Sequence, residues 1–164
     1  MITAERLRQV VCYDAATGVF VWMAPNARRT KVGMVAGSKR HRGYISICID
    51  GRAYLAHRLA WLYVTGSWPH KNIDHINGNC GDNRFVNLRP ASHAENMRNA
   101  RKRDNKSGFK GVSFYKAGGT WRARIGLGKT NKQKTIGYFR TPQEAFVAYC
   151  EEAKKRFGEF ARVA

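Results

Sequence analysis

The chain has 164 residues, 43% of them hydrophobic and 12% aromatic, which suits one compact domain or two small ones with real cores. This composition excludes a chain that is disordered throughout, and no apolar run approaches the ~20 residues that a membrane span needs. There are 30 lysines and arginines against 11 acidic residues, and the net charge of +19 favours a polyanionic partner. Nucleic acid comes before an acidic membrane surface, because the basic residues lie among turns and short strands and not on one long amphipathic helix.

The N-terminal sequence MITAERLRQV is charged from its fifth residue and lacks a secretory apolar region, which predicts a cytoplasmic protein. The cysteines are widely spaced and form no CxxC pair, so a cysteine-based zinc site is not expected. Reduced thiols partly buried in a core are the better interpretation. The four are Cys12, Cys48, Cys80 and Cys150.

The first half of the chain alternates short helical and extended patterns. Apolar spacing predicts the helices, alternation predicts the strands, and Asp50-Gly51 is a hairpin signal between two of the strands. The expected elements are a helix over Ala4–Val11, strands over Gly18–Met23, Tyr44–Asp50 and Ala53–Ala56, and a helical continuation over Leu59–Val64.

The segment 73–99, IDHINGNCGDNRFVNLRPASHAENMRN, concentrates the polar residues with chemical potential. Asp74 and His75 follow a short apolar approach, and a turn-rich loop leads to a second short strand over Phe85–Leu88. Ser92 with Glu95 three residues later is a capping box, so a helix is expected to start at residue 92. Asn96 would lie on the first turns of that helix.

These residue types suit the hydrolysis of a phosphodiester bond. That reaction needs a base for water and neutralisation of the charge that grows on the phosphate and leaving oxygens. A histidine suits the base, whereas a carboxylate and an amide oxygen suit a hard divalent ion. Neighbours on an extended segment point in opposite directions, so one of Asp74 and His75 could face water while the other faces the metal.

The same segment resembles the HNH endonuclease family, in the phage variant whose last histidine is replaced by asparagine. The resemblance covers roughly residues 41–99 and depends on several spaced elements that agree in order. The matching residues are His57-Arg58-Leu59, Asp74-His75 in DHINGN, Asn83 in DNR, Asn87 in NLR and Asn96 in HAEN.

The resemblance implies a ββα-metal fold and a role for each matching residue. His75 would be the general base, oriented by a hydrogen bond from Asn87. Asp74 and Asn96 would hold one divalent ion, and asparagine at position 96 favours Mg²⁺ or Mn²⁺ over zinc. His93 is a competing ligand, and His57 is expected to pack or to contact phosphate.

The second half predicts three antiparallel strands with a helix across them. The helix would start at Thr141-Pro142 with Glu144 completing the cap, and would run to about Phe157. Core positions are expected at Phe114, Ile125, Ile136 and Phe139. The predicted strands are Gly111–Phe114, Trp121–Ile125 and Lys134–Phe139.

This half resembles the APETALA/ethylene-response-factor DNA-binding domain. The matching elements include Gly111-Val112, Trp121 to Ile125 (WRARI), Ile136-Gly137-x-Phe139 and Thr141-x-x-Glu144-Ala145. The resemblance implies a sheet in the major groove, where alternate side chains meet base edges. The candidates for base or backbone contact are Ser113, Tyr115, Arg122, Arg124, Gln133 and Thr135, with phosphate contacts from Lys110, Lys116, Lys132 and Lys134.

Together these patterns predict an α+β protein with an HNH nuclease domain over residues 1–99, a basic linker over 100–108 and a DNA-binding domain over 109–164. The expected activity is that of a homing endonuclease on double-stranded DNA, with no nucleotide cofactor. A restriction or defence nuclease, a non-catalytic DNA-binding regulator and an RNA-binding protein are the alternatives. A monomer would nick one strand, whereas a dimer would cut both.

Overall fold

A computed structural model describes residues 1–26, 30–99, 106–127 and 132–161. The chain folds as two compact units, residues 1–91 and residues 92–164. The predicted linker, residues 100–108, falls mostly outside the described residues. None of the helices in the described ranges has the length and the apolar run that crossing a bilayer takes.

The first unit contains the predicted elements in their order, together with two strands that were not predicted, over Val11–Asp14 and Ser38–Lys39. Asp50 and Gly51 both have positive φ, as the two central residues of a type I′ hairpin turn require. The second strand of segment 73–99 begins at residue 88, so the predicted strand over Phe85–Leu88 was wrong: residues 85–87 form a 3₁₀ turn instead. The elements are α1 (Ala4–Val10), β1 (Val11–Asp14), β2 (Val19–Trp22), β3 (Ser38–Lys39), β4 (Ile45–Ile49), β5 (Arg52–Leu55), α2 (Ala56–Thr65), β6 (Asn72–His75) and β7 (Leu88–Ala91).

Three antiparallel sheets organise the described part of this unit: β1 with β2, β3–β4–β5 in that order, and β6 with β7. Their apolar faces and the helices α1 and α2 share one core, whose fully buried members include Leu7, Phe20, Ile47 and Leu59. Trp68 packs at its edge, and its indole N–H donates to the carbonyl of Ile2 at 2.9 Å. This core supports the polar residues that follow β6.

The turn between β1 and β2 lies against the loop between β6 and β7. Gly18 has φ +74°, and a Cβ there would come within 2.4 Å of the backbone nitrogen of Arg84. The Tyr13 hydroxyl donates to the Asn83 carbonyl at 2.7 Å, and the Phe85 N–H donates to the Ala15 carbonyl at 3.1 Å. The β1–β2 hairpin therefore fixes the backbone of the β6–β7 loop.

The second unit contains the predicted three-stranded sheet and its helix. Thr141 caps the long helix by accepting from the Glu144 N–H at 3.2 Å, and Ala145, Tyr149 and Ala153 pack on the sheet. Phe114 is half exposed, so its predicted core position was wrong. The elements are α3 (His93–Asn99), β8 (Val112–Tyr115), β9 (Thr120–Gly126), β10 (Gln133–Phe139) and α4 (Pro142–Phe157).

Candidate active site and nucleic-acid interface

The β6–β7 ladder delivers Asp74 and His75 to the interior of the first unit. Asp74 is opposite Arg89, and His75 is opposite Leu88. Only 3% of Asp74 and 4% of His75 is exposed. The two side chains leave opposite faces of the strand, as expected, and both meet protein groups.

Asp74 forms a buried ion pair with Arg89. The Arg89 Nε and Nη2 atoms lie 3.0 and 2.9 Å from the same carboxylate oxygen, Oδ2. Because both side chains are almost completely buried, the guanidinium offsets a charge that would otherwise be expensive to remove from water. Arg89 was not singled out in the sequence, although its place opposite Asp74 follows from the strand register.

His75 lies in a cluster of three rings. The imidazole of His57, on the first turn of α2, meets it edge to face, with ring centroids 4.9 Å apart and an interplanar angle of 78°. The Tyr44 ring, just before β4, lies 6.0 Å from His75 and 5.5 Å from His57. His57 therefore packs against the other two rings, which is one of the two roles expected for it. Tyr44 is a site residue that the sequence did not reveal.

Burial lowers the pKa of both imidazoles. It is the largest influence on the pKa of His75, and Asn83 and the charges of Asp74 and Asp82 act in the opposite direction. Burial, followed by the charge of His75 and then of Arg58, lowers the pKa of His57 to about 3. A neutral imidazole can accept a proton, which is the requirement for a general base.

Asn87 braces the β6–β7 loop. Its Oδ1 accepts from the Asn77 N–H at 3.0 Å, and its Nδ2 donates to the Asp82 carbonyl at 2.8 Å. The expected hydrogen bond from Asn87 to His75 is not formed among the described residues, where the amide bonds to the backbone of its own loop instead. Asn83, which the sequence predicted only as a match to the family pattern, acts to raise the pKa of His75, and its Nδ2 donates to the Gly81 carbonyl at 3.2 Å.

Asn96 lies on α3, which belongs to the second unit. The predicted capping box is confirmed: the Ser92 N–H donates to Glu95 Oε2 at 2.7 Å, and the Glu95 N–H donates to Ser92 Oγ at 3.3 Å. The Asn96 side chain is partly buried. Within the described ranges, no three His, Cys, Asp or Glu side chains come together as a metal cluster, and all four cysteines are free thiols.

The sheet of the second unit has one face covered by α4 and one face that α4 does not cover. Ala123 and Ile125 of β9 are buried towards α4, so Arg122 and Arg124 share the opposite face, as predicted. Ser113 is opposite Arg122, and Thr135 is opposite Arg124. These side chains therefore form one surface together with Tyr115, whose ring lies 5.4 Å from the Arg122 guanidinium carbon.

Of the remaining DNA-contact candidates, Gln133 shares the face of Thr135, as predicted, whereas the lysines are placed differently. Gln133 is exposed at the start of β10, opposite Gly126. Lys134 is opposite Ile125, on the helix side, and its ammonium lies 3.1 Å from Glu152 of α4. The Lys110 ammonium donates to the Arg98 carbonyl, while Lys116 and Lys132 are exposed.

A sequence model of the family described as HNH endonuclease matches residues 54–98. The match begins on β5 and ends on α3, and it contains Asp74, His75, Asn87 and Asn96. It supports an HNH nuclease. No curated protein and no solved structure matches the chain.

Proposed function

We propose that the protein is a metal-dependent DNA endonuclease of the homing type, with His75 as its general base. The observation that carries the proposal is a buried histidine next to a buried aspartate on β6, inside the segment that matches the HNH endonuclease family. The net charge of +19 supports a polyanionic substrate.

His75 would take the proton of the attacking water. Its ring plane is fixed by His57 and Tyr44, so the accepting nitrogen needs little reorganisation before reaction. Asn83 would help to orient the ring, and Asn87 would hold the loop that carries Asn83.

HNH nucleases generally use a divalent metal ion, and the donors of this chain fit a hard one. Asp74 offers a carboxylate and Asn96 an amide oxygen, which suits Mg²⁺ or Mn²⁺ with water as the remaining ligands. The bound ion would neutralise charge that develops on the phosphate oxygens. Arg89 balances the Asp74 carboxylate and holds it on its side of β6.

The open face of the β8–β10 sheet would read double-stranded DNA. Arg122 and Arg124 project from the same face as Ser113 and Thr135, an arrangement that a sheet in the major groove can use against base edges. Lys134 is better assigned to the pair with Glu152 than to phosphate. Two DNA-binding units on one duplex would raise the affinity through effective concentration.

The experiment is cleavage mapping on a plasmid library. Purified protein is incubated with Mg²⁺ or Mn²⁺, and the new DNA ends on both strands are sequenced. A recurring long, non-palindromic site supports a homing endonuclease, whereas a short palindromic or modification-dependent site supports a restriction or defence nuclease. No cleavage with either ion, despite tight DNA binding, would overturn the proposal in favour of a non-catalytic regulator.

A further inference from the structure

The hairpin loop between β3 and β4 carries a run of basic side chains, which we call the basic loop: Lys39, Arg40, His41 and Arg42. All four are exposed. The loop is closed by the Arg40 N–H, which donates to the Tyr44 carbonyl at 2.7 Å, and by the Gly43 N–H, which donates to the Arg40 carbonyl at 3.1 Å.

Arg42 has an unusual backbone at the tip of this loop. Its φ of 61° lies in the left-handed region, which favours glycine, asparagine and aspartate. Among the described residues, Asp50 alone shares this property without being glycine, and its hairpin turn explains it. Arginine has no such preference, so the backbone at Arg42 is strained. What distinguishes Arg42 from the residues that favour this conformation is its charged side chain.

The basic loop lies beside the ring cluster of the first unit. Tyr44 follows it after Gly43 and contacts both His57 and His75. The carbonyl of Gly43 lies 3.2 Å from where a Cβ on Gly81 would be, so the residue after the basic loop lies close to the β6–β7 loop. The charge of Arg42 reaches the cluster, where it lowers the pKa of Tyr44 against larger opposing influences.

The positive charges of the basic loop have no acidic partner among the described residues. The aspartates of the first unit that pair with arginine are Asp50 with Arg6, Asp74 with Arg89, and Asp82 with Arg84. A strained, exposed and uncompensated guanidinium next to a buried base is suited to an anion that arrives with the substrate.

We infer that the basic loop grips the phosphodiester backbone of DNA beside the bond that is cut, with Arg42 on a phosphate. The position beside the cleaved bond rests on the proposed nuclease function, but the DNA contact itself does not depend on cleavage. Because a phosphate contact carries no base information, the basic loop would add affinity without sequence preference.

The test compares three full-length variants with the wild-type protein: Arg42→Gly, Arg42→Asn and Arg52→Gln. Glycine and asparagine both accept positive φ, so these variants remove the guanidinium without adding strain. Arg52 is the matched control, because it is an exposed arginine on the same sheet, opposite Ile49 and thus at the other end of β4 from Tyr44. Thermal unfolding shows that each variant is folded.

Affinity for a random-sequence DNA duplex is measured in EDTA, so that no cleavage interferes, over a salt series. Arg42→Gly should keep or raise the Tm, weaken binding about fivefold, and reduce the slope of log K against log salt by about 0.9, the value for one lost phosphate contact. Arg42→Asn should bind like Arg42→Gly, and Arg52→Gln like the wild type. Unchanged affinity and slope in both Arg42 variants would overturn the inference, and so would an equal loss in Arg52→Gln.

Two further results would test the DNA contact of Arg42 separately from the proposed nuclease function. A wild-type protein that binds DNA through Arg42 but cuts nothing would refute the nuclease and leave the backbone contact standing. An Arg42-dependent slope seen with duplex RNA and not with DNA would overturn the assignment to DNA.

Discussion

Replacing His57 by phenylalanine should flatten the dependence of folding stability on pH. The folded protein keeps His57 neutral, with a pKa of about 3, whereas an unfolded chain binds a proton near pH 6.5. The unfolded state therefore gains the proton first as the pH falls, and stability that is fully present above about pH 6.5 is lost progressively towards pH 3. Phenylalanine preserves the ring contacts with His75 and Tyr44 and cannot titrate.

The magnitude follows from the size of the shift. Each pH unit between the two pKa values costs about 1.4 kcal/mol, so His57 should destabilise the wild-type protein by about 2 kcal/mol at pH 5 relative to about pH 7.5. The substitution should cost no hydrogen bond at His57 Nδ1, because this buried atom has no hydrogen-bond partner among the described residues. His75 also has a lowered pKa and acts in the same direction, but it is present in both proteins and cancels in their difference.

Urea unfolding at the two pH values measures the effect. The free energy of unfolding should fall between them by about 2 kcal/mol more in the wild type than in His57→Phe. His70→Gln is the control, because it removes an imidazole from an exposed position and leaves His57 in place. The same pH dependence in wild type and His57→Phe would refute the reasoning.

Three other predictions concern residues that support the candidate active site or lie in the proposed DNA interface. Arg89→Met should lower the free energy of unfolding by about 3 kcal/mol, because it breaks a buried ion pair by removing the guanidinium next to the Asp74 carboxylate; a loss below about 1 kcal/mol in urea unfolding would contradict the pair's importance. Tyr13→Phe should cost about 1 kcal/mol by the same measurement, since the Asn83 carbonyl loses its donor, and an unchanged stability would mean that this bond does not hold the loop. Arg124→Ala should reduce the salt slope of DNA binding by about 0.9 if the guanidinium meets a phosphate, or relax the preference for one base if it meets a base edge; a variant with unchanged slope and unchanged sequence preference would remove Arg124 from the interface.

Local signals predicted most of the secondary structure. The Thr141 and Ser92 caps begin their helices where expected, because each is a short-range hydrogen bond encoded within four residues. Strand alternation also placed Arg122 and Arg124 on one face. Phe114 shows the limit of the same rule, because it shares a face with the buried Val112 and is nevertheless half exposed beside Trp121. Alternation predicts which side of a strand a residue lies on, but it does not predict how much of that side the helix covers.

The site was predictable as a set of residues and not as a set of contacts. Asp74 and His75 are adjacent in sequence, so their pairing on one strand needed no tertiary information. The Arg89 ion pair follows from strand register, whereas the ring contacts of Tyr44 and His57 join segments far apart in the chain. The Asn87 amide bonds to the Asn77 N–H and the Asp82 carbonyl, contacts that residue type alone does not determine.

The central claim is that His75 takes a proton during DNA hydrolysis. Its most direct test is the single-turnover conversion of supercoiled plasmid to nicked or linear DNA in Mg²⁺, comparing wild type, His75→Ala and the exposed control His70→Ala, with binding measured in parallel. We expect His75→Ala to bind DNA like the wild type and to cut it at least about 100-fold more slowly. His70→Ala should cut at the wild-type rate. A His75→Ala protein that is folded, binds DNA and cuts at the wild-type rate would contradict the account.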